Sequence, residues 1–267
     1  MVDFDCKDRY GFSDLVEVVR LLRGPGGCPW DAEQTHESIR RNFLEETCEA
    51  CEAIDLGDSE LLCEELGDVL LQVLFHTSIE SDAGRFTLDD VCDRCVKKLV
   101  FRHPHVFGAA QVSDSQEVLT NWDNLKRVEK GQQTYTDTLR AVSRALPGLW
   151  RGEKVQKKAE KAGLPGPETS QAVDLLQRDL RELAREAQSE ARPADPGEEA
   201  SLVQERLGDL LFDTVALSRA LGIDPEDALN AATDRFTDRF QALEQEHPVP
   251  EGEPLPGDLS QSLWPRS

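Results

Sequence analysis

Two acidic segments joined by a short turn constrain this chain more than any other feature of its sequence. In FLEETCEACEAI, Glu46 and Glu49 are three residues apart, and in ELLCEELGDVLLQVLFH the same spacing separates Glu65 and Asp68. Residues three apart lie on one face of a helix. Because the link at residues 57–58 is short, we expect the two helices to pack antiparallel. Four carboxylates are then predicted to converge across one interhelical groove.

Carboxylates crowded in this way repel one another, and burial increases the penalty. A divalent cation would remove that repulsion, and oxygen ligands favour Mg²⁺, Mn²⁺ or Ca²⁺ over zinc. The alternative is a solvated acidic face with i,i+4 salt bridges, but no Lys or Arg occurs between Glu45 and Glu80. Gly67 in mid-helix costs about 1 kcal/mol relative to Ala, which favours the close approach of a backbone or ligand. The two segments therefore predict a metal site.

Helical periodicity extends over the rest of the chain. Apolar residues recur at helical spacing, and Gly and Pro clusters such as residues 24–27 and 165–167 separate the segments. No segment shows the alternation that is typical of a strand. The fold class is predicted to be all-α, built from four-helix-bundle-like modules. The predicted helices span residues 13–23, 35–54, 60–80, 88–101, 115–130, 151–162, 171–190, 201–221 and 225–245.

One motif of the chain occurs twice. Residues 64–71, EELGDVLL, match residues 205–212, ERLGDLLF, and each copy is followed by a break and an acidic helix start. The spacing is too long for a solenoid repeat. We therefore predict two copies of one helical module. The N-terminal module, residues 1–135, carries the intact metal motif, and the C-terminal module, residues 136–267, carries a degenerate one.

The charge of the chain excludes several classes of partner. With 52 acidic and 30 basic residues the net charge is -22, which argues against a nucleic-acid polymer or a membrane surface as partner. A small anionic substrate is compatible, because a bound divalent cation inverts the local field. The N-terminus lacks the basic region and apolar run of a signal peptide, and no stretch approaches about 18 consecutive apolar residues. We expect a cytoplasmic protein.

The seven cysteines allow two interpretations. Their odd number and the expected intracellular location argue against a disulfide framework. The pairs Cys48/Cys51 and Cys92/Cys95 have the CxxC spacing of zinc sites, but both pairs fall inside helical patterns rather than tight turns. We expect buried thiols that pack in the helix core, with zinc binding as the alternative.

The acidic segments also carry a family resemblance. Glu45–Glu49 has the pattern EExxE and Glu65–Asp68 has the pattern ExxD, and in this order they resemble the metal motif of the MazG nucleoside triphosphate pyrophosphohydrolases. A lone EExxE would be a weak signal, but further blocks extend the resemblance over nearly the whole chain. These blocks are LLRGPGGCPWDAEQTHESI at 21–39, KKLVFRHPHVFG at 97–108, NWDNLKRVEK at 121–130 and ALPGLWRGEKVQKKAEKAG at 145–163.

The resemblance implies an all-α pyrophosphohydrolase, usually a homodimer. Such an enzyme converts NTP or dNTP and water to the monophosphate and pyrophosphate with Mg²⁺, for which Mn²⁺ is a possible substitute, and a house-cleaning role in the nucleotide pool would follow. The resemblance assigns the metal to Glu46, Glu49, Glu65 and Asp68, and gives Glu45 a supporting or water-orienting role. These five carboxylates are the candidate catalytic residues.

A triphosphate carries about four negative charges, so it needs cations in addition to the metal. Lys98 and Arg102 lie four apart on one predicted helix, and Trp122 and Lys126 lie four apart on the next. In the resembled family the matching basic residues contact phosphates and the Trp region lies near the nucleotide, so all four are candidate substrate-binding residues. Alternatively, the basic pair complements a helix C-terminus and Trp122 is a core or hinge aromatic.

The second copy of the motif departs from the pattern. Residues 178–182, RDLRE, stand in place of EExxE, and Arg206 stands in place of Glu65. An Arg at this position would compete with a cation for the carboxylates that remain, Asp179 and Glu182. We predict that the N-terminal module is the active one. The C-terminal module would be structural or a degenerate nucleotide site.

Two other functions fit parts of the pattern. A nucleotide-sensing regulatory or binding protein with the same fold and little turnover would explain the degenerate copy. A carboxylate di-iron bundle would want Glu-x-x-His pairs. Neither Glu46 nor Glu65 has a His three residues later, which argues against the di-iron hypothesis.

Overall fold

The computed structural model of the chain describes residues 2, 4–187, 196–249 and 256–259. In this part of the chain all regular structure is helical, which confirms the predicted all-α class. The helices are α1 (Phe12–Arg23), α2 (Pro29–Ala32), α3 (His36–Leu56), α4 (Ser59–Asp82), α5 (Leu88–Arg102), α6 (Pro104–Phe107), α7 (Ser115–Glu129), α8 (Tyr135–Arg140), α9 (Gly148–Lys161), α10 (Thr169–Ala187), α11 (Pro196–Leu221) and α12 (Pro225–Glu246).

Three short helices were not predicted from the sequence. Two of them, α2 and α6, begin with a proline, Pro29 and Pro104. Both prolines lie outside the helices predicted from the sequence. Proline is nevertheless favoured at the first helical position, because the N–H that it lacks would have no partner inside the helix. The third short helix, α8, begins after Thr134, whose hydroxyl accepts a hydrogen bond from the backbone N–H of Asp137.

The chain divides into two compact units, Met1–Lys126 (unit 1) and Arg127–Ser267 (unit 2). The division falls within α7, whereas the predicted module boundary follows residue 135. That the two units are copies of one module stays a prediction. No helix in the described ranges is long and apolar enough to cross a membrane.

The central element of unit 1 is the pair of helices α3 and α4, which pack against each other along their lengths. Helix α3 begins at Thr35, whose hydroxyl accepts a hydrogen bond from the backbone N–H of Ser38. It ends at Gly57, where a φ of 67° reverses the chain at no steric penalty. Asp58 then caps α4 by accepting hydrogen bonds from the backbone N–H groups of the first turn. This two-residue link makes the helices antiparallel.

The apolar core of unit 1 lies at one end of this pair. Val19 of α1, Ile39 of α3, and Leu74 and Phe75 of α4 are buried together. They come from the beginning of α3 and the second half of α4, so the core is far from the connecting turn at Gly57. The acidic pairs belong to the half of the two helices that is closer to that turn, where unit 1 offers less apolar cover.

Unit 2 has its own pair of packed helices, α10 and α11, and α9 packs against α11. Val215 of α11 is fully buried, and its side chain lies 3.6 Å from the position that a Cβ on Gly152 of α9 would take, an ordinary van der Waals distance. Ala172 of α10 is also fully buried. The contact of α9 with α11 therefore belongs to the buried core of unit 2.

The expectation of buried CxxC thiols is wrong. Cys48 and Cys51 on α3 are exposed, as are Cys92 and Cys95 on α5. The small buried residues of α3 are Ala50 and Ala53 instead. Helical periodicity identifies the faces of a helix but not which face is buried. The packing of α3 on α4 buries the face that carries the alanines.

Candidate metal centre

Three of the four predicted metal-ligating carboxylates come together between α3 and α4. One oxygen each of Glu46, Glu49 and Glu65 lies within 4.8 Å of the others. Asp68 is one turn beyond Glu65 on the same helix, and its negative charge raises the pKa of both Glu46 and Glu65. The antiparallel packing therefore brings the two acidic pairs to one groove.

The electrostatics of this carboxylate group favour the binding of a positive charge. Burial raises the pKa of Glu46, and so do the charges of Asp68, Glu49 and Glu65 and a hydrogen bond with Glu49. Burial likewise raises the pKa of Glu65, with further contributions from Glu49, Asp68 and Glu64. A raised carboxyl pKa means that the ionised form is disfavoured in the absence of a cation.

The donor set fits a hard divalent cation. All the groups are carboxylates, which suit Mg²⁺ or Mn²⁺ better than zinc. Glu46 and Glu65 are half-buried and Glu49 is exposed, so the group is open to solvent and to a substrate on one side. Among the described residues no other three His, Cys, Asp or Glu side chains bring their ligand atoms within 4.8 Å of one another. Neither CxxC pair belongs to such a group.

Glu45, the fifth predicted catalytic carboxylate, has different surroundings. It is exposed, and the guanidinium of Arg41 donates a hydrogen bond to its carboxylate at 2.8 Å. The group of three close carboxylates does not include Glu45. Its supporting or water-orienting role stays a prediction.

Two of the predicted substrate-binding residues form a second cluster. The guanidinium of Arg102, at the end of α5, lies over the Trp122 ring of α7 at 5.2 Å from its centroid, and Arg102 is buried. The centroids of the His103 and Trp122 rings are 4.8 Å apart, and the two rings are tilted by 67° in an edge-to-face arrangement. Lys98 is exposed one turn before Arg102, and Lys126 is half-buried one turn after Trp122. Trp122 thus packs against a cation rather than in an apolar core.

Sequence reasoning missed a row of polar residues that continues from the acidic group along α4. Glu65, Asp68, Gln72, His76 and Glu80 recur at intervals of three or four residues, and Gln72 and Glu80 are buried. Spacing of this kind places all five on one helix face. The spacing is visible in the sequence, but it was interpreted there only for Glu65 and Asp68.

The far end of this row forms a hydrogen-bonded network with α3. Nδ1 of His36 and Nδ1 of His76 are 2.7 Å apart, and Nε2 of His36 is 2.5 Å from Glu80. Arg85 donates two hydrogen bonds to the Glu80 carboxylate. The bonds from Arg85 and His36 lower the pKa of Glu80 to about 2. Burial and the neighbouring His36 lower the pKa of His76.

In unit 2 a guanidinium lies among the carboxylates at the matching position. Nη1 of Arg206 is 3.4 Å from Glu182, and Nε is 3.3 Å from Glu186. Asp179 is buried and accepts hydrogen bonds from Arg178. This arrangement is the one expected if Arg206 competes with a cation for the carboxylates of the second copy.

Comparison with known proteins agrees with this geometry. A family model described as the MazG nucleotide pyrophosphohydrolase domain matches residues 34–107, which include both acidic pairs. The chain is 38% identical over 234 residues to the Thermotoga maritima protein named nucleoside triphosphate pyrophosphohydrolase/pyrophosphatase MazG. The matched region covers 88% of this chain and 86% of the relative. It is 37% identical over 232 residues to the Escherichia coli K12 nucleoside triphosphate pyrophosphohydrolase, covering 86% of each chain.

A further relative matches only part of the chain. The Mycobacterium tuberculosis nucleoside triphosphate pyrophosphohydrolase is 43% identical over 154 residues, which cover 57% of this chain and 46% of that protein. The first two relatives, in contrast, extend over both units.

Proposed function

The chain belongs to the MazG nucleotide pyrophosphohydrolase family, and on this premise we propose that it hydrolyses nucleoside triphosphates to monophosphates and pyrophosphate with Mg²⁺ bound in unit 1. The observation that carries the proposal is the meeting of Glu46, Glu49 and Glu65 within 4.8 Å. Such a group is electrostatically unfavourable by itself and becomes favourable around a divalent cation.

In this proposal the carboxylates of unit 1 bind the metal. Glu46, Glu49, Glu65 and Asp68 hold the cation, which when bound neutralises phosphate charge and activates the attacking water. Because Glu46 and Glu65 are half-buried and Glu49 is exposed, the solvent-facing side of this carboxylate group is available to the triphosphate.

The basic side chains supply the remaining positive charge. Lys98 and Lys126 bind phosphate oxygens, and Arg102, held against Trp122, presents its guanidinium from a fixed position. Glu45 supports the water that attacks phosphorus. In this proposal the competent site is in unit 1, because Arg206 occupies the matching position in unit 2.

We also propose a cellular role for this activity. Removal of unwanted nucleoside triphosphates from the cytoplasmic nucleotide pool is the role that we propose, with Mn²⁺ as an alternative cofactor.

A homodimer is supported by large apolar side chains that unit 1 leaves exposed, among them Ile54 at 61%, Leu66 at 53% and Val96 at 57%. Exposed apolar groups of this kind on neighbouring helices are typical of an interface.

Pyrophosphate release from a panel of NTPs and dNTPs tests the proposal. We expect turnover with Mg²⁺, none with EDTA, and loss of at least about a hundredfold in Glu65→Ala. Glu64→Ala, which removes the adjacent exposed carboxylate, and Asp209→Ala, in the second copy, serve as controls and should retain activity. Unchanged activity in Glu65→Ala would overturn the assignment to unit 1. Nucleotide binding without turnover would favour a nucleotide-sensing protein instead.

A further inference from the structure

Two histidines of unit 1 meet at a contact to which the metal centre described above gives no role. His36 is the first residue of α3, and His76 lies in the second half of α4. Their Nδ1 atoms are 2.7 Å apart, their ring planes differ by 14°, and their ring centroids are 5.0 Å apart. With these distances the two nitrogens lie close to the line between the centroids, so the rings meet edge to edge in nearly one plane. This is the geometry of an N–H···N hydrogen bond.

The second partner of His36 determines where one of its hydrogens lies. Nε2 of His36 is 2.5 Å from the carboxylate of Glu80, which is buried and accepts two hydrogen bonds from Arg85. Because the pKa of Glu80 is lowered to about 2 by Arg85 and His36, this carboxylate stays ionised in mildly acidic solution. An ionised carboxylate only accepts hydrogen bonds, so Nε2 of His36 carries a hydrogen and donates it to Glu80.

The contact between the two Nδ1 atoms has room for one hydrogen. When both rings are neutral, Nδ1 of His76 donates to His36, and when His36 takes up a proton, its Nδ1 donates to a neutral His76 instead. Both arrangements keep the hydrogen bond. A second proton would place two N–H groups and two positive charges face to face at 2.7 Å, so the contact cannot persist when both rings are charged. Burial and the neighbouring His36 accordingly lower the pKa of His76.

The other charged groups at this end of α4 are bonded elsewhere or exposed. The guanidinium of Arg23, on α1, is bonded to two side chains in the last two turns of α4, and Asp90 of α5 is bonded within the cap of its own helix. Glu37 and Arg40 of α3 are exposed and have opposite charges. The charge that acts directly on the histidine pair is therefore that of Glu80.

We propose that His36 and His76 form a pH-sensitive latch, which ties the first turn of α3 to α4 while at most one of the two rings is charged and opens when both are charged. Arg85 lies in the connection from α4 to α5 and shares Glu80 with His36, so the same group of bonds also holds that connection. Acidification below the usual pKa of a histidine, about 6.5, therefore loosens this end of unit 1. The inference does not depend on metal or nucleotide binding.

Amide hydrogen exchange of the full-length protein at pH 7 and pH 5, followed by mass spectrometry, tests the inference. Opening of the latch takes up a proton, so its equilibrium constant should rise by up to about tenfold per pH unit below about pH 6.5. After correction for the intrinsic exchange rate at each pH, we expect the protection of the first turns of α3 to fall by about tenfold or more at pH 5. The first turns of α12, in unit 2, should keep their protection. Equal protection of α3 at both pH values, or an equal loss in α12, would overturn the proposal of a local latch.

Two glutamine variants, His76→Gln and His36→Gln, test whether the pair itself carries the effect. A glutamine amide can either donate or accept at this contact, so the remaining ring can take up a proton without breaking it. We expect the loss of protection at pH 5 to disappear in both variants. His247→Gln, which changes an exposed histidine at the end of α12, is the matched control and should behave like wild type. A folded His76→Gln or His36→Gln protein that keeps the wild-type pH dependence would refute the latch. If neither variant folds, the comparison of α3 with α12 in the wild-type protein decides.

Discussion

Nη1 of Arg206 lies 3.4 Å from the carboxylate of Glu182, across the contact between α11 and α10. In unit 1 the matching positions are Glu65 and Glu49, which meet as two carboxylates. One substitution in the second copy thus replaces repulsion between two acids with an ion pair. The carboxylates of unit 2 obtain their counter-charge from the chain itself, whereas those of unit 1 have no Lys or Arg in the same segment.

The first prediction is that Arg206→Glu creates a new class of Mn²⁺ sites in unit 2. The change restores the acidic motif and removes the guanidinium from Glu182 and Glu186. Calorimetric or paramagnetic titration with Mn²⁺ measures it, with Arg185→Glu on α10 as a control for added negative charge. An unchanged binding stoichiometry in Arg206→Glu would contradict the idea that Arg206 is what keeps a cation out of unit 2.

A second prediction distinguishes two adjacent lysines of α5. Lys97 pairs with Asp93 at 2.6 Å and is not assigned to substrate, whereas Lys98 is a proposed phosphate ligand. A hydrogen bond to a charged group contributes about 1.5–3 kcal/mol. We therefore expect Lys98→Ala to raise the KM for nucleoside triphosphates by about tenfold or more, and Lys97→Ala to leave it near the wild-type value. Steady-state kinetics with equal KM values for the two variants would exclude the assignment of Lys98.

A third prediction concerns stability in acid. Arg85 and His36 lower the pKa of Glu80 from 4.5 to about 2, so the stability that Glu80 contributes is fully present above pH 4.5 and is lost as the pH falls towards 2. Glu80→Gln should lower the melting temperature at pH 7 and have a smaller effect at pH 3, where part of the contribution of Glu80 has been lost. His76, whose pKa is lowered, makes both proteins less stable below about pH 6.5.

Thermal unfolding of wild type and Glu80→Gln at the two pH values measures this effect. Glu64→Gln, an exposed carboxylate on the same helix, is the matched control and should show little change at either pH. An equal decrease in melting temperature for Glu80→Gln at pH 7 and pH 3 would show that the ion pair with Arg85 does not carry the effect.

A fourth prediction separates the core of unit 1 from its metal centre. Leu74 is 3% exposed and packs with Val19, Ile39 and Phe75. Leu74→Ala should reduce the free energy of unfolding by about 2–5 kcal/mol, because it leaves a cavity in this core. Mn²⁺ affinity of the folded protein should be retained. Urea denaturation measures the change, with Leu56→Ala at a position that is 67% exposed as the control. A similar loss in both variants would argue against the described core.

Much of the fold could be predicted from local features of the sequence. Asp58 and Gly57 are strong signals for a helix start and a helix end, so the α3–α4 turn and the antiparallel pair follow from them. The spacing of Glu46 and Glu49 likewise predicts that they share one helix face. The short helices α2 and α6 were missed because proline can either end or begin a helix, and the local sequence does not distinguish the two cases.

The sequence by itself determined which long segments are helical and which carboxylates share a helix face, because both depend on a period of 3.6 residues along one chain segment. Only the tertiary structure decided that Arg102 lies over Trp122, that His36 meets His76, and that the CxxC thiols are exposed. These outcomes depend on how helices distant in sequence rotate against one another to bury apolar surface.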